Sequence, residues 1–402
     1  MIDKKWKRAS LSEVCEINPG KKDLLNKSRE QEVTFLPMAA VSEEGKILAR
    51  ESRKLKDVIK GYTNFRDGDV LLAKITPCFE NGKRAIANNL LNGIGFGSTE
   101  FHVLRPKDEV TSDWIFYAIS RSDFCNIAKS QMTGTAGQKR VPTRVLEQFD
   151  IPIPSVKEQE VIAGNIETQF TRLDAAIKSL EVIEDKLSVY RRSILHNTFD
   201  GKLVQQSKNE WQIKPIKEIC VLVNGRAFKP NEWAKSGLPI IRIQNLNNAL
   251  ASFNYCDFEV EEKYYVNKGD LLFAWSGTPG TSFGAHIWEG PRAVLNQHIF
   301  KVLIDEEKIN KKFLMHVLNK NVGQYIQKAH GTAGLAHITK GKFENSEIKI
   351  PSKEIQDEVV QGIEFKFSVL DKVDESVNKT LTKADFLRKS ILKVAFEGKL
   401  VN

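Results

Sequence analysis

A glycine-containing segment at residues 134–140 carries side chains suited to contact a polyanion. Thr135, Gln138, Lys139 and Arg140 supply hydroxyl, amide and cationic donors close together in the sequence. Such donors contact phosphate oxygens and base edges in nucleic acids. The glycines at 134–137 allow two interpretations: backbone amides that bind phosphate, or a tight structural loop. We favour the loop, because nearly the same tetrad recurs at 331–334.

Further residues with this chemistry lie in both halves of the chain. For each of them, ordinary surface or turn chemistry is the competing interpretation. The candidates for contact with nucleic acid are Lys74, Arg84, Thr135, Gln138, Lys139, Arg140, Arg242, Gln244, Asn245, Trp275, Arg292, Gln297, His298 and Thr332.

Catalytic signatures are missing from the sequence. It has no GxxxxGK[ST] loop, no HExxH pair, no CxxC and no Asn/Asp-Pro-Pro-aromatic tetrapeptide typical of amino-methyltransferases. Asp69 and Lys74 have the chemistry of a nuclease pair, yet Trp275 occupies the position of Lys74 in the second half of the chain. We therefore expect no enzymatic activity and no bound metal.

The composition is that of a globular protein with several domains. The chain has 402 residues, of which 41% are hydrophobic and 28% charged, which suits two to four domains. No apolar stretch approaches the ~20 residues that span a bilayer, and the first residues lack a secretory signal. We expect a cytoplasmic protein whose five scattered cysteines are reduced and mostly buried.

Positive charge is concentrated outside two segments. Residues 156–199 and 353–396 together carry 14 basic and 15 acidic residues, so the rest of the chain holds a net charge of +10, against +9 for the whole. An excess of Lys and Arg on the remaining surface favours a polyanionic partner such as nucleic acid.

The second half of the chain repeats the first. Residues 193–204 and 390–401 match at eight of twelve positions, at an offset of 197. Residues 153–155 recur at the same offset, and upstream the offset grows to 201 and then 205. A few additional loop residues in the second copy explain the drift, so the sequence indicates an internal duplication.

Each copy has a globular part followed by a helical part. The sequence predicts α/β domains at 1–155 and 205–352, because brief branched or aromatic runs such as 70–72, 240–243 and 299–302 alternate with turn residues. Gly68 and Asp69 are interpreted as a turn before a buried strand rather than a phosphate site.

Helices are predicted at 156–204 and 353–402. Ser155 and Glu158 have capping-box spacing at the first helix, whereas Ile355 breaks the box at the second. Gly201 and Gly398 lie where helix stops are expected. Apolar residues at heptad-like spacing predict the pairing faces. They are Ile166, Phe170, Leu173, Ile177, Leu180, Leu187, Ile194, Ile363, Phe367, Leu370, Val377, Leu381 and Ile391.

Such long amphipathic stripes require partners. The economical arrangement is that the two helices pair with each other as an antiparallel coiled coil, which gives an α+β fold with an internal pseudo-two-fold repeat. Pairing with an unrelated protein is the alternative, and both can hold on different faces.

This arrangement resembles the specificity subunits of type I restriction–modification systems along essentially the whole chain. Local strings are also similar to that family: Phe35-Leu36-Pro37-Met38 followed by Val41, residues 238–246, residues 295–298, and residues 151–154 leading to Glu158 and Gln159. The resemblance implies that the globular parts are target recognition domains, each reading one half of a split, asymmetric site in double-stranded DNA.

The resemblance also implies partners. The helices would set the distance between half-sites and dock two methyltransferase subunits, with restriction/translocase subunits joining the complex. S-adenosylmethionine, ATP and Mg²⁺ would be used by those subunits, with no cofactor bound by this chain. A duplicated scaffold or protein-binding module without DNA specificity is the alternative function.

Overall fold

Turn residues interrupt the apolar runs of the sequence, so the globular parts contain short strands. The computed structural model describes residues 6–24, 26–135, 137–199, 211–248, 250–277, 283–328 and 336–400. The chain divides into unit 1, made of Met1–Glu181 and Asn378–Asn402, and unit 2, made of Val182–Val377. Each unit therefore combines one globular part with a segment of both long helices.

The first copy alternates short strands with short helices before its long helix. The strands are β1 (Lys7–Ser10), β2 (Cys15–Ile17), β3 (Glu32–Leu36), β4 (Glu51–Lys54), β5 (Thr63–Arg66), β6 (Val70–Ala73), β7 (Arg84–Ile86), β8 (Ile94–Gly97), β9 (Phe101–Pro106) and β10 (Asp150–Ile153). The helices are α1 (Leu11–Val14), α2 (Leu55–Val58), α3 (Ser112–Ala118), α4 (Ser122–Ser130), α5 (Thr143–Glu147) and the long α6 (Val156–Phe199).

The second copy continues the same numbering. Its strands are β11 (Gln212–Pro215), β12 (Cys220–Asn224), β13 (Leu238–Ile241), β14 (Asn254–Cys256), β15 (Tyr265–Val266), β16 (Leu271–Ala274), β17 (Ser276–Gly277), β18 (Gly284–Ile287), β19 (Ala293–Leu295), β20 (Ile299–Ile304), β21 (Ala336–His337) and β22 (Glu347–Ile350). Its helices are α7 (Ile243–Asn247), α8 (Lys311–Lys320), α9 (Val322–Lys328), α10 (Lys340–Glu344) and the long α11 (Lys353–Phe396).

The two copies have matching sheet topology. The strand orders β2-β9-β6-β7 and β4-β3-β8-β5 of the first copy correspond to β12-β20-β16-β18 and β14-β13-β19-β15 of the second. In both copies one pair is parallel, β3 with β8 and β13 with β19. The duplication seen in the sequence is thus preserved strand by strand in these two four-stranded sheets, while the second copy has an additional pair, β17 with β21.

Strand β6 lies between two apolar layers in unit 1. Val70 and Leu72 face the core that includes Trp114 of α3, whereas Leu71 faces a second core that includes Leu36 of β3. Because both faces are covered, the strand is buried along its length, which explains its uninterrupted apolar run. In the turn before the strand, the Asp69 carboxylate accepts the amide of Arg66 at 2.8 Å.

The globular part of each copy closes immediately before its long helix. β10 pairs antiparallel with β1, the first strand of the copy, and β22 pairs in the same way with β11. Ser155 and Glu158 then form the predicted capping box, with the Ser155 amide donating to Glu158 Oε2 at 3.1 Å. Gly398 has a φ of +73°, the left-handed conformation that ends helices, just beyond the last residue of α11. Gly201 lies outside the described residues.

Within unit 1 the long helices pack antiparallel. Ile166, near the start of α6, shares a core with Ile391 near the end of α11. Further along α6, Asp174 forms an ion pair with Arg388, whose guanidinium also lies 4.6 Å from the ring centre of Phe170.

Unit 2 repeats these contacts with the roles of the helices exchanged. Arg191 of α6 pairs with Asp371 of α11 at 2.5 Å and lies 5.5 Å from the ring centre of Phe367. Asp371, Arg388 and Phe367 are offset by 197 from Asp174, Arg191 and Phe170, so the two sets of contacts are copies of one another. All thirteen residues predicted to pair the helices are buried or half-buried.

The predicted fold class is confirmed: α/β parts alternate with two long helices in a duplicated frame. One detail differs, because the strand expected at 240–243 ends at Ile241. Arg242 takes an extended conformation and caps α7, with its amide donating to Asn245 Oδ1 at 3.1 Å. Among the described helices, none combines the length and apolar character needed to cross a membrane.

Candidate functional site

Residues 133–135 and 137–140 of unit 1 form the two arms of a hairpin-like loop beside the end of strand β6. The Thr133 amide donates to the Arg140 carbonyl at 3.0 Å, and the Arg140 amide donates back at 2.8 Å. The Thr76 amide donates to the Lys139 carbonyl at 2.9 Å, and the Val141 amide donates to the Lys74 carbonyl at 2.8 Å. The structure thus brings together Lys74 and the predicted segment 134–140.

An ion pair holds this loop to the turn before strand β9. Arg140 donates from Nε and Nη2 to the carboxylate of Glu100 at 3.0 and 2.8 Å. The hydrogen bond from Arg140 lowers the pKa of Glu100, and the same contact raises the pKa of Arg140. Sequence reasoning missed Glu100, whose position just before an apolar run was the available signal.

The rest of the loop is open to solvent. Thr135, Gln138 and Lys139 are exposed, and Lys74 is half-buried. The Lys139 backbone amide donates to Thr76 Oγ1 at 3.1 Å. This bond fixes the backbone at Lys139 and does not involve the lysine side chain. The loop therefore presents one cation, one amide and one hydroxyl on a backbone anchored at both ends.

Arg84 lies apart from this loop. It is on β7, where its guanidinium lies 5.5 Å from the ring centre of Phe116 in helix α3 and donates to the Gly82 carbonyl at 3.2 Å. Burial lowers the pKa of Arg84. Its side chain is half-buried and packs against Phe116, so the structure gives it a packing role.

Unit 2 builds the same location from different side chains. The Trp275 amide donates to the His298 carbonyl at 3.2 Å, as the Lys74 amide does to the Glu100 carbonyl at 2.9 Å. Trp275 and His298 therefore occupy the positions of Lys74 and Glu100. The Trp275 ring stacks on Phe300 at 5.6 Å and meets His298 edge-on at 5.4 Å. Gln297 Nε2 lies 3.1 Å from His298 Nε2.

A cleft of about 180 Å³ adjoins these residues in unit 2. It is lined by Arg242 and Gln244, which follow β13, and by Asn296 and His298. The parallel pairing of β13 with β19 explains this placement, because both strands end at the same sheet edge. Asn296 was missed as a candidate, although it lies in the string 295–298 that the sequence singles out.

Two of the remaining candidates, Asn245 and Arg292, lie elsewhere. Asn245 is buried, and its amide donates to the carbonyls of Ala251 and Ser252 at 3.3 and 3.2 Å, so it organises a turn. Arg292 precedes β19, at the strand end opposite Asn296, and lies 4.4 Å from the ring centre of Tyr265. Thr332 lies outside the described residues.

Titratable groups in the described part of the chain form no cluster of three or more that is arranged to hold a metal ion. The cysteines described are all free, with Cys15, Cys220 and Cys256 buried. The candidate surface is therefore made of cations, amides and aromatic rings, a set that binds anionic and aromatic groups through hydrogen bonds and stacking.

Comparison with known proteins finds similarity to type I restriction specificity subunits by family model and by individual relatives. The family model described as "Type I restriction modification DNA specificity domain" matches residues 3–184 and 208–382. The EcoAI specificity subunit of Escherichia coli is 44% identical over 178 residues, which cover 44% of this chain but only 29% of that subunit. The EcoEI specificity subunit of Escherichia coli is 26% identical, covering 92% of this chain and 78% of the relative.

Solved structures share the fold. One chain, from work on complex assembly and conformational transition of a type I R-M system, superposes with a TM-score of 0.78 at 17% identity, covering 98% of both chains. The HsdS subunit from Thermoanaerobacter tengcongensis gives a TM-score of 0.65 at 18% identity, covering 98% of this chain and 97% of that one.

Proposed function

The chain belongs to the type I restriction–modification DNA specificity family, and we propose that it reads a bipartite, asymmetric site in double-stranded DNA. The observation that carries this proposal is the unlike chemistry of two like-folded domains. At equivalent positions the first domain has Lys74 and Glu100, and the second has Trp275 and His298. Two readers with different donors favour two different half-sites.

Direct contact is assigned to the exposed and half-buried polar groups of the candidate surface, together with Trp275. In the first domain these are the exposed Thr135, Gln138 and Lys139, with the half-buried Lys74 beside them. In the second domain Arg242, Gln244 and His298 line the cleft, and the exposed Gln297 and the half-buried Trp275 lie next to His298. Lysine serves phosphate contact, and the amides have the paired donor and acceptor that adenine recognition uses.

The long helices offer a surface for two copies of one partner. Val189 and Tyr190 on α6 are 55% and 60% exposed, and Phe386 and Leu387 on α11 are 66% and 51% exposed. The second pair lies 197 residues after the first, so the duplication supplies an exposed apolar patch, of different side chains, at the same position of each helix. We assign each patch to one methyltransferase subunit, because exposed apolar groups at repeated positions indicate repeated docking.

The chemistry belongs to the partners in this proposal. Methyltransferase and restriction/translocase subunits use S-adenosylmethionine, ATP and Mg²⁺, and this chain supplies recognition without catalysis in the cytoplasm. A duplicated scaffold without DNA specificity is not favoured, because the matching family model is that of a DNA specificity domain over most of the chain.

The test is the methylation pattern of the host genome, mapped with and without this gene. We expect a bipartite adenine-methylation motif that disappears with the gene. Replacing residues 1–155 by the corresponding part of a relative is expected to change one half of the motif and leave the other half intact. A motif that persists without the gene, or a replacement that changes both halves, contradicts the proposal.

A further inference from the structure

Two glutamines occupy equivalent, fully buried positions at the start of the long helices. Gln159 is 0% exposed in the first turn of α6, and Gln356 is 1% exposed in the first turn of α11. They are offset by 197 residues, as the helices themselves are. A buried primary amide must find hydrogen-bond partners for its donors and its acceptor. The partners of these two side chains therefore show which backbone groups are held together where each globular domain joins its long helix.

Gln159 connects the long helix to two backbone segments of unit 1. Its Oε1 accepts the Thr111 amide at 2.9 Å, and its Nε2 donates to the carbonyls of Glu109 and Pro154 at 2.8 and 2.9 Å. Pro154 precedes the long helix, whereas Glu109 and Thr111 lead into helix α3 of the globular domain. Thr111 caps that helix by accepting the Trp114 amide at 3.1 Å.

Gln356 makes the same three bonds in unit 2. Its Oε1 accepts the Asn310 amide at 2.8 Å, and its Nε2 donates to the carbonyls of Lys308 and Pro351 at 3.2 and 3.0 Å. Asn310 caps helix α8 by accepting the Phe313 amide at 3.0 Å. These partners of both glutamines are backbone groups, so the junction is built identically although the domains differ in sequence.

The connection extends from the first glutamine toward the candidate surface. Ser112, next to Thr111, donates from Oγ to the Gly68 carbonyl at 2.6 Å. Gly68 belongs to the turn that starts β6, and β6 leads to Lys74 beside the loop at 133–140. A short path of two hydrogen bonds and one peptide link therefore runs from the long helix to the turn before the strand that leads to Lys74.

We infer that Gln159 and Gln356 are positioning residues that fix the orientation of each recognition domain on its helix, and so set the gap between half-sites. This inference rests on the proposed function. A domain of about 150 residues has a radius of gyration of about 15 Å. A rotation of about 15° at the junction moves its reading surface by about 4 Å, which exceeds the rise of about 3.4 Å for one base pair.

The experiment measures binding of the full complex, purified through this chain with its methyltransferase subunits, to three duplexes. One carries the cognate site, and the others have one base pair added to or removed from the gap. The wild-type complex is expected to prefer the cognate gap by about 100-fold, as two correctly spaced half-sites require. Gln159→Met and Gln356→Met keep the side-chain volume and remove the three bonds.

Each variant is expected to reduce the gap preference by about tenfold, because a loosened domain accommodates a neighbouring register. Leu55→Ala is the matched control: it opens a cavity in the core of the first domain, away from the junction. It is expected to lower stability and leave the gap preference unchanged. A Gln159→Met complex with wild-type gap preference overturns the inference, even when its stability or affinity falls.

Two further outcomes are informative. A wild-type complex that tolerates all three gaps contradicts the proposed function itself, separately from the role of the glutamines. Should Gln159→Met yield no folded protein, hydrogen exchange of the wild-type complex still decides the matter. The amides of Thr111 and Asn310 are expected to be strongly protected and to become more protected on binding the cognate duplex; rapid exchange in both states overturns the inference.

Discussion

The guanidinium of Arg140 is held by the carboxylate of Glu100, through Nε and Nη2 at 3.0 and 2.8 Å. Arg140 is thus engaged within the protein, and its contribution to binding passes through the loop that it anchors. Charge-assisted pairs with two donors are directional as well as strong, so loss of either partner frees residues 133–140 from the start of strand β9.

The Glu100→Gln variant distinguishes long-range electrostatic attraction from loop anchoring, because the two mechanisms predict opposite changes in DNA affinity. Removing a negative charge near DNA strengthens binding if only long-range attraction matters. Because Glu100 anchors the loop, we instead expect cognate affinity to fall by about tenfold, while affinity for unrelated DNA stays equal or rises slightly. Fluorescence anisotropy on cognate and scrambled duplexes measures both. Tighter cognate binding by Glu100→Gln contradicts the anchoring role.

Lys139 is expected to contact phosphate. The Lys139→Ala variant should weaken binding to all sequences alike and lower the slope of log affinity against log salt by about one. Titrations at several salt concentrations provide the slope. Lys178→Ala, an exposed lysine on α6, serves as the control and should leave the slope unchanged; a sequence-selective loss at Lys139 would instead assign it to base contact.

We expect His316 to make the stability of unit 2 sensitive to acid. Burial lowers its pKa to about 4, with Lys312 adding to the effect and Glu364 opposing it. The unfolded chain binds a proton below about pH 6.5 while the folded unit does not, so stability is lost as pH falls from 6.5 toward 4. Between pH 7.5 and pH 5 the loss amounts to about 2 kcal/mol.

The first domain supplies the matched substitution for this test. Tyr117 meets Phe170 edge-on at 6.0 Å, as His316 meets Phe367 at 6.0 Å. His316→Tyr should therefore retain the packing and remove most of the loss between pH 7.5 and pH 5. Hydrogen exchange of amides in Lys311–Lys320 at the two pH values reports the difference; an equal loss in the variant places the acid sensitivity elsewhere.

The ion pair of Asp174 with Arg388 is expected to be modest. Their side chains are 53% and 35% exposed, and such pairs contribute at most about 1 kcal/mol. A double-mutant cycle with Asp174→Asn and Arg388→Gln should give a coupling of about 0.5 kcal/mol at low salt. Lys389→Gln is the control, because Lys389 pairs with Asp385 on its own helix and should show no coupling to Asp174.

The repeated apolar patches predict that two methyltransferase subunits bind to each copy of this chain. Tyr190→Lys and Leu387→Lys should each remove one methyltransferase subunit from the purified complex, with an affinity loss of at least about tenfold at the altered patch. The double variant should remove both subunits. Native mass spectrometry counts them. Thr168→Lys, at an exposed polar position of α6, is the control; full complement in both single variants would assign docking to another surface.

The sequence predicts the repeat and the long helices of this protein better than it predicts the residues of the candidate site. Duplication and heptad-like spacing leave a signal many residues long, so both 44-residue helices and their antiparallel packing, with Ile166 and Ile391 in one core, are predictable. The strand at 238–241 is also predictable, but its end is not. Arg242 leaves the strand because the Asn245 side chain captures its amide, a local hydrogen bond that composition does not reveal.

Individual site residues are harder to predict because one residue type serves several purposes. Arg140, Arg84 and Asn245 have the donors that nucleic acid requires, yet the structure engages them with Glu100, Phe116 and a turn. Gln159 shows the converse. It has the side chain of a surface residue, and only the fold reveals that three backbone groups from two segments converge on its amide.

The ion pairs between the long helices have a consequence for how the gene can change. Each takes its acid from one copy of the repeat and its base from the other: Asp174 with Arg388, and Asp371 with Arg191. Recombination that overwrites one copy with the other exchanges aspartate for aspartate and arginine for arginine. Gene conversion within these segments therefore leaves both ion pairs intact. A point mutation of one aspartate or arginine instead leaves its ion-pair partner, in the other copy, without an opposite charge.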